Sequence, residues 1–280
     1  MNNASSLFQI HVAVMFFGIA GLFGKWIDLP PSLITWGRCV FAFVALFFLN
    51  LFSERHFTLA KKKHYCVFAG LGILLALHWW SFFHSIQIST VAVGLLTFST
   101  FPIFTVFLEP LFFKEKIGWT NIVAALVTFG GIACIVPAFD LNHTTAAGAA
   151  FGMLSGFSFA VLQIFNRKYV QIYSGRLITF YQTGIAALAL LPVISLTKGS
   201  FTLPHVGMLM ILGVICTAIA HSFFINGLRS VKVRSASIIV GLEPVYGIVI
   251  AMLFLHEIPS WKEICGGIAI LSAATFVSIK

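Results

Sequence analysis

The sequence predicts an all-α integral membrane protein: ten transmembrane helices, arranged as two inverted five-helix repeats. Three observations predict it. The 280 residues are 59% hydrophobic and only 9% charged, with a mean hydropathy of +1.01, whereas an ordinary soluble chain carries roughly a quarter charged residues. Apolar runs of ~20 residues, the length that crosses a bilayer, follow one another along the whole chain. The second half also echoes the first. This composition excludes a soluble enzyme, a secreted disulfide protein and a receptor with a large extramembrane domain. A strand reading fails as well: a barrel needs ~10-residue segments of alternating polarity, while the stretch from Ile122 to Pro137 is apolar all round.

The spans are expected near 7–24, 31–52, 64–85, 89–113, 117–137, 145–167, 175–196, 204–227, 233–255 and 260–279. The first follows Met1 to Ser6, which lacks the basic residues of a cleaved signal peptide, and is read as a retained helix. Its Gly18, Gly21 and Gly24 recur at three-residue spacing, which favours close helix contacts. The second span holds Arg38, and the third a polar arc of His78, Ser81, His84 and Ser85 within about 120 degrees. The fourth contains Pro102 and Glu109-Pro110. The sixth carries the series Gly148, Gly152 and Gly156, then Gln163 and Asn166 near its end. The seventh holds Tyr181 and Gln182, the eighth Thr217 and His221, and the ninth Glu243-Pro244 with Tyr246 one turn on. Trp26, Trp119 and Trp261 sit near span ends, as interfacial anchors do.

The charges orient this array. With the N-terminus on one side, that side carries Arg55, Lys61, Lys62, Lys63, Lys114, Lys116, Arg167, Lys168, Arg176, Arg229, Lys232, Arg234 and Lys280. The other carries Lys25, Lys198 and Lys262, and Arg38 alone lies inside a span. Short loops obey the positive-inside rule, so both termini are expected in the cytoplasm and the chain in the cell (inner) membrane. The formal charge of +9 is thereby a matter of topology and calls for no nucleic-acid partner. Cys39, Cys66, Cys134, Cys216 and Cys265 stand singly in apolar runs, which argues against a zinc site or a disulfide framework.

The repeat rests on an offset of 142. Pro102, Leu111, Phe112, Glu115, Trp119 and Ile122 align without gaps on Pro244, Leu253, Phe254, Glu257, Trp261 and Ile264. Upstream, Ser81-Phe82-Phe83 matches Ser222-Phe223-Phe224 and Leu33-Ile34-Thr35 matches Leu177-Ile178-Thr179. The expected units are residues 1–140 and 141–280. Five spans per unit is an odd number, so the second unit must enter the membrane from the opposite side, the architecture of many secondary transporters. The stretch from Phe101-Pro102 to Glu115 and that from Leu242-Glu243-Pro244 to Glu257, with Gly266-Gly267 beyond, resemble the drug/metabolite transporter superfamily, specifically its EamA-type ten-helix branch. The resemblance covers essentially the whole chain. It implies a secondary transporter, in many cases an exporter of amino acids and related metabolites.

The helices offer candidate residues for that work. Ionisable side chains inside a membrane are by default functional hypotheses. A substrate cavity is therefore expected from Arg38, His78, Trp79, Trp80, Ser81, Gln163, Asn166, Tyr181, Gln182, His221 and Tyr246. Coupling or gating falls to Glu243, Pro102, Pro244, Glu115 and Glu257, while Glu109 is read as structural. One Arg and one Glu suit a zwitterion, whose carboxylate and ammonium they would meet. Glu243 or a His would carry the proton if transport is proton-coupled; a facilitator is the other course. Enzyme motifs fail: Gly24-Lys25 lacks the P-loop spacing, and His256-Glu257-Ile258-Pro259-Ser260 lacks the second His of a zinc protease. The expected partners are a small-molecule substrate and the bilayer, in a monomer or homodimer without cofactor or metal. Two further readings are an uptake or exchange carrier for a nucleotide-derived or cofactor-like metabolite, and a passive channel.

Overall fold

The computed structural model describes residues 3–53, 57–113, 118–135, 143–231 and 233–279. Among them the regular structure is all helical, without strands, and runs as ten rods. The first three are α1 (Asn3–Trp26), α2 (Pro31–Ser53) and α3 (Lys62–Ile88). The fourth comes in two pieces, α4 (Val91–Phe98) and α5 (Phe101–Phe113), followed by α6 (Trp119–Ile135), α7 (Thr144–Tyr169) and α8 (Gly175–Leu196). The eighth rod joins α9 (Leu203–Gly213) to α10 (Ala220–Gly227) through a π-helical turn, Val214–Ile219. The ninth is again broken, into α11 (Val233–Val240) and α12 (Glu243–Phe254), and α13 (Trp261–Ile279) closes the chain. Seven helical segments among the described residues are long and apolar enough to cross a membrane. Trp119–Ile135 and Glu243–Phe254 are apolar but shorter.

The structure departs from the expected spans at three places. Helix α3 continues to Ile88, because the Thr90 hydroxyl caps the next helix by accepting from the Val93 N–H at 3.0 Å, which leaves only two residues for the turn. The expected continuous span 89–113 breaks at Ser99 and Thr100, and 233–255 breaks at Gly241 and Leu242. In each case a proline, Pro102 or Pro244, occupies the second position of the following helix, where its missing N–H costs no intrahelical bond. At the first break the Ser99 hydroxyl donates to the Leu95 carbonyl at 2.9 Å and that of Thr100 to Thr97 at 2.8 Å, adding to the backbone N–H bonds that both carbonyls already accept.

Small residues set how the rods pack. On α7 the glycine series forms a flat strip against α4: a Cβ at Gly152 would lie 1.9 Å from Thr97 Oγ1, and one at Gly156 2.7 Å from the Phe98 carbonyl. Helix α7 packs on α3, α4 and α5, while α1 packs on α10, α11 and α12. Helices α6 and α13 pack on each other, with Ala124, Ala125 and Ala273 in one apolar cluster and Gly131 against Gly266. A Cβ at Gly266 would stand 2.4 Å from the Gly131 carbonyl oxygen, which is backbone and cannot step aside. Gly266→Ala is accordingly expected to destabilise the protein by about 1–3 kcal/mol, read as a lower thermal midpoint in detergent. Gly130→Ala, whose Cβ meets nothing within 4 Å, should leave that midpoint unchanged or slightly raised.

The connections gather at two ends. At one, the Ala60 N–H donates to the Tyr173 hydroxyl at 2.8 Å, and Arg229 donates from Nε to the Val170 carbonyl at 2.9 Å and from Nη2 to Tyr173 at 3.0 Å. At the other, Lys25 Nζ donates to the Ser89 carbonyl at 2.8 Å and lies 3.8 Å from Glu257, whose second oxygen accepts from the Val91 N–H at 2.9 Å. The Thr90 hydroxyl donates to Glu263 there, also at 2.9 Å. The first end is the one bearing Lys61, Lys62 and Lys63, and the second the one bearing Lys25.

Candidate functional site

Among the helices lies a cavity of about 30 Å³, walled by Phe17, Ala20, Arg38, His78, Trp79, Phe82, Phe98, Phe159, His221 and Glu243. It is narrow, with room for no more than a few waters in this conformation. Its most polar feature starts on α2. Arg38, 2% exposed, donates from Nε at 3.0 Å and from Nη2 at 2.8 Å to the Thr217 hydroxyl oxygen. Thr217 is held in place by its own helix: its hydroxyl donates at 2.8 Å to the Leu212 carbonyl, five residues back, which the wide π-turn brings within reach. The guanidinium carbon stands 3.9 Å over the Trp79 ring centroid and 5.4 Å from that of Phe83. The flat cation is thus clamped between a hydroxyl and an aromatic face, an arrangement worth ~2 kcal/mol or more when desolvated.

Glu243 faces this cavity from the first turn of α12, just past the break in the ninth rod. It is 3% exposed, and its Oε2 has no hydrogen-bond partner among the described residues. Two imidazoles complete the polar surface. His78 holds Nδ1 2.9 Å from the Ser155 hydroxyl and 3.0 Å from the Ser155 carbonyl, which fixes its ring against Phe159 and Phe98. His221 is wedged between Trp79, at 5.6 Å between centroids, and Phe17, at 6.0 Å; its Nε2 is buried and has no partner among the described residues. Isolated charges are costly in a membrane. The wall thus holds a cation and a carboxylate together, with a carboxylate oxygen and an imidazole nitrogen that have no partner among the described residues.

The structure brings Arg38, His78, Trp79, His221 and Glu243 together and sends the other candidates elsewhere. Trp80 stacks on His84 at 5.3 Å and meets Phe151 edge-on, away from the cavity. The Ser81 hydroxyl turns back onto its own helix, to the carbonyls of Leu77 and His78, and Ser85 donates to Gly148 on α7 at 2.6 Å. Within the polar arc of α3 only His78 therefore lines the cavity; short hydroxyls on a helix satisfy themselves locally or at a tight interhelical contact. Gln163, Asn166 and Gln182 form a separate buried group, in which Gln182 Nε2 donates to Asn166 Oδ1 at 2.7 Å. Tyr181 donates to the Phe57 carbonyl, packs on Tyr65 and Phe68, and borders an apolar groove beside Phe43 and Phe180. Tyr246 is 36% exposed, with its Cβ against Gly18. Pro102 and Pro244 stand at the two helix breaks, and Glu257 in the latch with Lys25. Glu115 lies outside the described residues, as does the side chain of Glu109.

Two features escaped the sequence reading. The cavity's Phe17, Phe82, Phe98 and Phe159 carry no distinguishing mark in a chain with 31 Phe. Glu263 did carry a signal: Ser260-x-x-Glu263 is a capping box, in which the Ser260 N–H donates to Glu263 at 2.6 Å and the Glu263 N–H to the Ser260 hydroxyl at 3.2 Å.

A model of the EamA-like transporter family matches residues 4–136 and 146–279. The chain is 24% identical to the uncharacterized transporter YxxF of Bacillus subtilis over 287 aligned positions, covering 99% of this chain and 90% of that one. It is 27% identical to an uncharacterized transporter of Archaeoglobus fulgidus over 205 positions, 72% of this chain and 73% of the other. A solved crystal structure with 15% identity superposes with a TM-score of 0.71, covering 99% of this chain and 98% of the other, a likeness of fold.

Proposed function

The chain belongs to the EamA-like transporter family, and from that premise we propose that it is a secondary transporter for a small zwitterionic or amphipathic metabolite, an amino acid or a close relative, with export the favoured direction. The observation that carries this reading is the pairing of Arg38 with Glu243 in one aromatic cavity. Arg38 offers its charge to a carboxylate, Glu243 an unfilled oxygen to an ammonium, and the rings of Trp79, Phe82 and Phe98 an apolar wall to the remainder.

Alternating access between residues 1–140 and 141–280, as inverted five-helix units, is part of the same proposal. Several features support it. The helix breaks at Ser99-Thr100 and Gly241-Leu242 repeat at the offset of 142 that relates Pro102 to Pro244. Helix α7 meets α3, α4 and α5 as α1 meets α10, α11 and α12, the pattern a two-fold exchange of units would produce. The Gly131–Gly266 contact, and the apolar cluster that holds both Ala124 and Ala273, fall on positions that the offset interchanges. In this reading the protein lies in the inner membrane with both termini in the cytoplasm, and its Lys61–Lys63 end faces inward.

Counterflow in proteoliposomes tests the proposal. Vesicles preloaded with unlabelled amino acids are expected to draw in trace labelled amino acid transiently, and the uptake should saturate and be competed by one chemical class. Flux without saturation would mean a channel, and no counterflow with any zwitterion would overturn the substrate assignment.

A further inference from the structure

One to two turns inward of the cavity lies a buried polar group that the central site does not use. Ser155, Phe159, Gln163 and Asn166 follow at spacings of four, four and three along one strip of α7. Ser155 holds His78 and Phe159 lines the cavity, so the strip continues from the cavity toward the end bearing Lys61, Lys62 and Lys63. Gln163, Asn166 and Gln182 are all fully buried. Apart from the Gln182–Asn166 bond, their carboxamides are unfilled: Gln163 Nε2 and Oε1, Asn166 Nδ2 and Gln182 Oε1 have no partner among the described residues. The large majority of buried side-chain polar atoms in proteins are paired, and each one left bare costs about 1–3 kcal/mol. Four in one place describe a site whose occupant supplies the missing bonds.

The chemistry of that occupant can be read from the atoms. Two are donors, Gln163 Nε2 and Asn166 Nδ2, and two are acceptors, Gln163 Oε1 and Gln182 Oε1. Turning Gln163, or turning Asn166 and Gln182 together, keeps the balance at two and two. No charged side chain belongs to the group, so it favours neither a cation nor an anion.

We propose that Gln163, Asn166 and Gln182 form a second station for a neutral hydrogen-bonding group, on the route between the central cavity and the inner end. It deepens the transport reading and rests on it. The shared chemistry has two sources, water and the polar group of the transported molecule.

The test is a labelling experiment on the full chain in membrane vesicles of both orientations, with the five native cysteines replaced by serine or alanine. Gln163→Cys is compared with Ala160→Cys, a fully buried neighbour on the same helix, using a small membrane-impermeant methanethiosulfonate. A thiol reacts only where water and the reagent reach it. The Gln163→Cys rate is expected to exceed that of Ala160→Cys by about tenfold or more, from the side bearing Lys61, Lys62 and Lys63. Gln182→Cys on α8 repeats the measurement should the first variant fold poorly. Equal rates, or reaction only from the side of Lys25, would overturn the station and leave the three residues as interhelical packing. Added L-serine or L-glutamine that slows labelling identifies the transported molecule as occupant; an unchanged rate identifies water. Because labelling needs no knowledge of the substrate, a failed counterflow assay and a failed station give different results.

Discussion

Arg38→Ala is expected to lower the initial rate of counterflow by about a hundredfold or more. Three interactions leave together. The Thr217 hydroxyl loses both guanidinium donors, at 3.0 and 2.8 Å, and hydrogen bonds involving a charged group contribute about 1.5–3 kcal/mol each. Trp79 loses the cation that stood 3.9 Å over its ring. A substrate carboxylate would then enter an apolar chamber with Glu243 as its only strongly charged neighbour, which repels it. Arg38→Lys separates charge from shape. An ammonium keeps the sign but offers neither the planar fork nor the flat face, so an intermediate loss of about tenfold is expected, with unchanged thermal stability as the check on folding. A rate for Arg38→Ala within about twofold of the parent would show that the cation is structural and that substrate recognition lies elsewhere.

Glu243→Gln should remove the pH dependence of transport while leaving substrate binding measurable. The carboxamide matches the carboxylate in size and keeps an oxygen where Oε2 now stands without a partner among the described residues, but it cannot take up or release a proton. Counterflow at one fixed pH is therefore expected to survive, and accumulation driven by an imposed pH gradient to fall by about tenfold or more, the loss of a ~1.4 kcal/mol driving term per pH unit. Arg38, His78 and His221 line the same cavity, so His221→Asn is the companion variant that shows whether an imidazole contributes. A pH profile for Glu243→Gln superimposable on that of the parent would exclude Glu243 as the proton carrier and favour a facilitator that follows its substrate's gradient.

Both variants fall on residues that are conspicuous in the amino-acid sequence itself, and the reason is contrast. An Arg and a Glu inside apolar runs are expensive enough to stand out, and His78 and His221 are polar rings on apolar helices. The aromatic wall had no such contrast, since Phe17 and Phe159 look like any of the 31 Phe. Side-chain direction was the second blind spot. Ser81 and Ser85 share a helical arc with His78, yet one hydroxyl bonds back to its own helix and the other to Gly148, choices that depend on a neighbour's distance and not on spacing. The rods were legible from their length and hydropathy. The breaks in the fourth and ninth were not, although Pro102 and Pro244 mark them, because membrane helices carry proline without breaking when neighbours satisfy the freed backbone groups.

The π-turn at Val214–Ile219 has a consequence for the site beyond its grip on Thr217. A surplus residue in one turn shifts the angular phase of everything after it by about 100 degrees relative to a regular helix. Leu209, Leu212 and Gly213 before the turn are buried, with Leu209 against Gly37 and Gly213 against Phe41, both on α2. His221 after it points at Trp79 and Phe17. In a regular α-helix that seated its first half in the same way, His221 would be rotated by about a quarter turn, off the cavity. The defect acts as a phase shifter, letting a single rod serve two neighbours whose directions no uniform helix could reconcile.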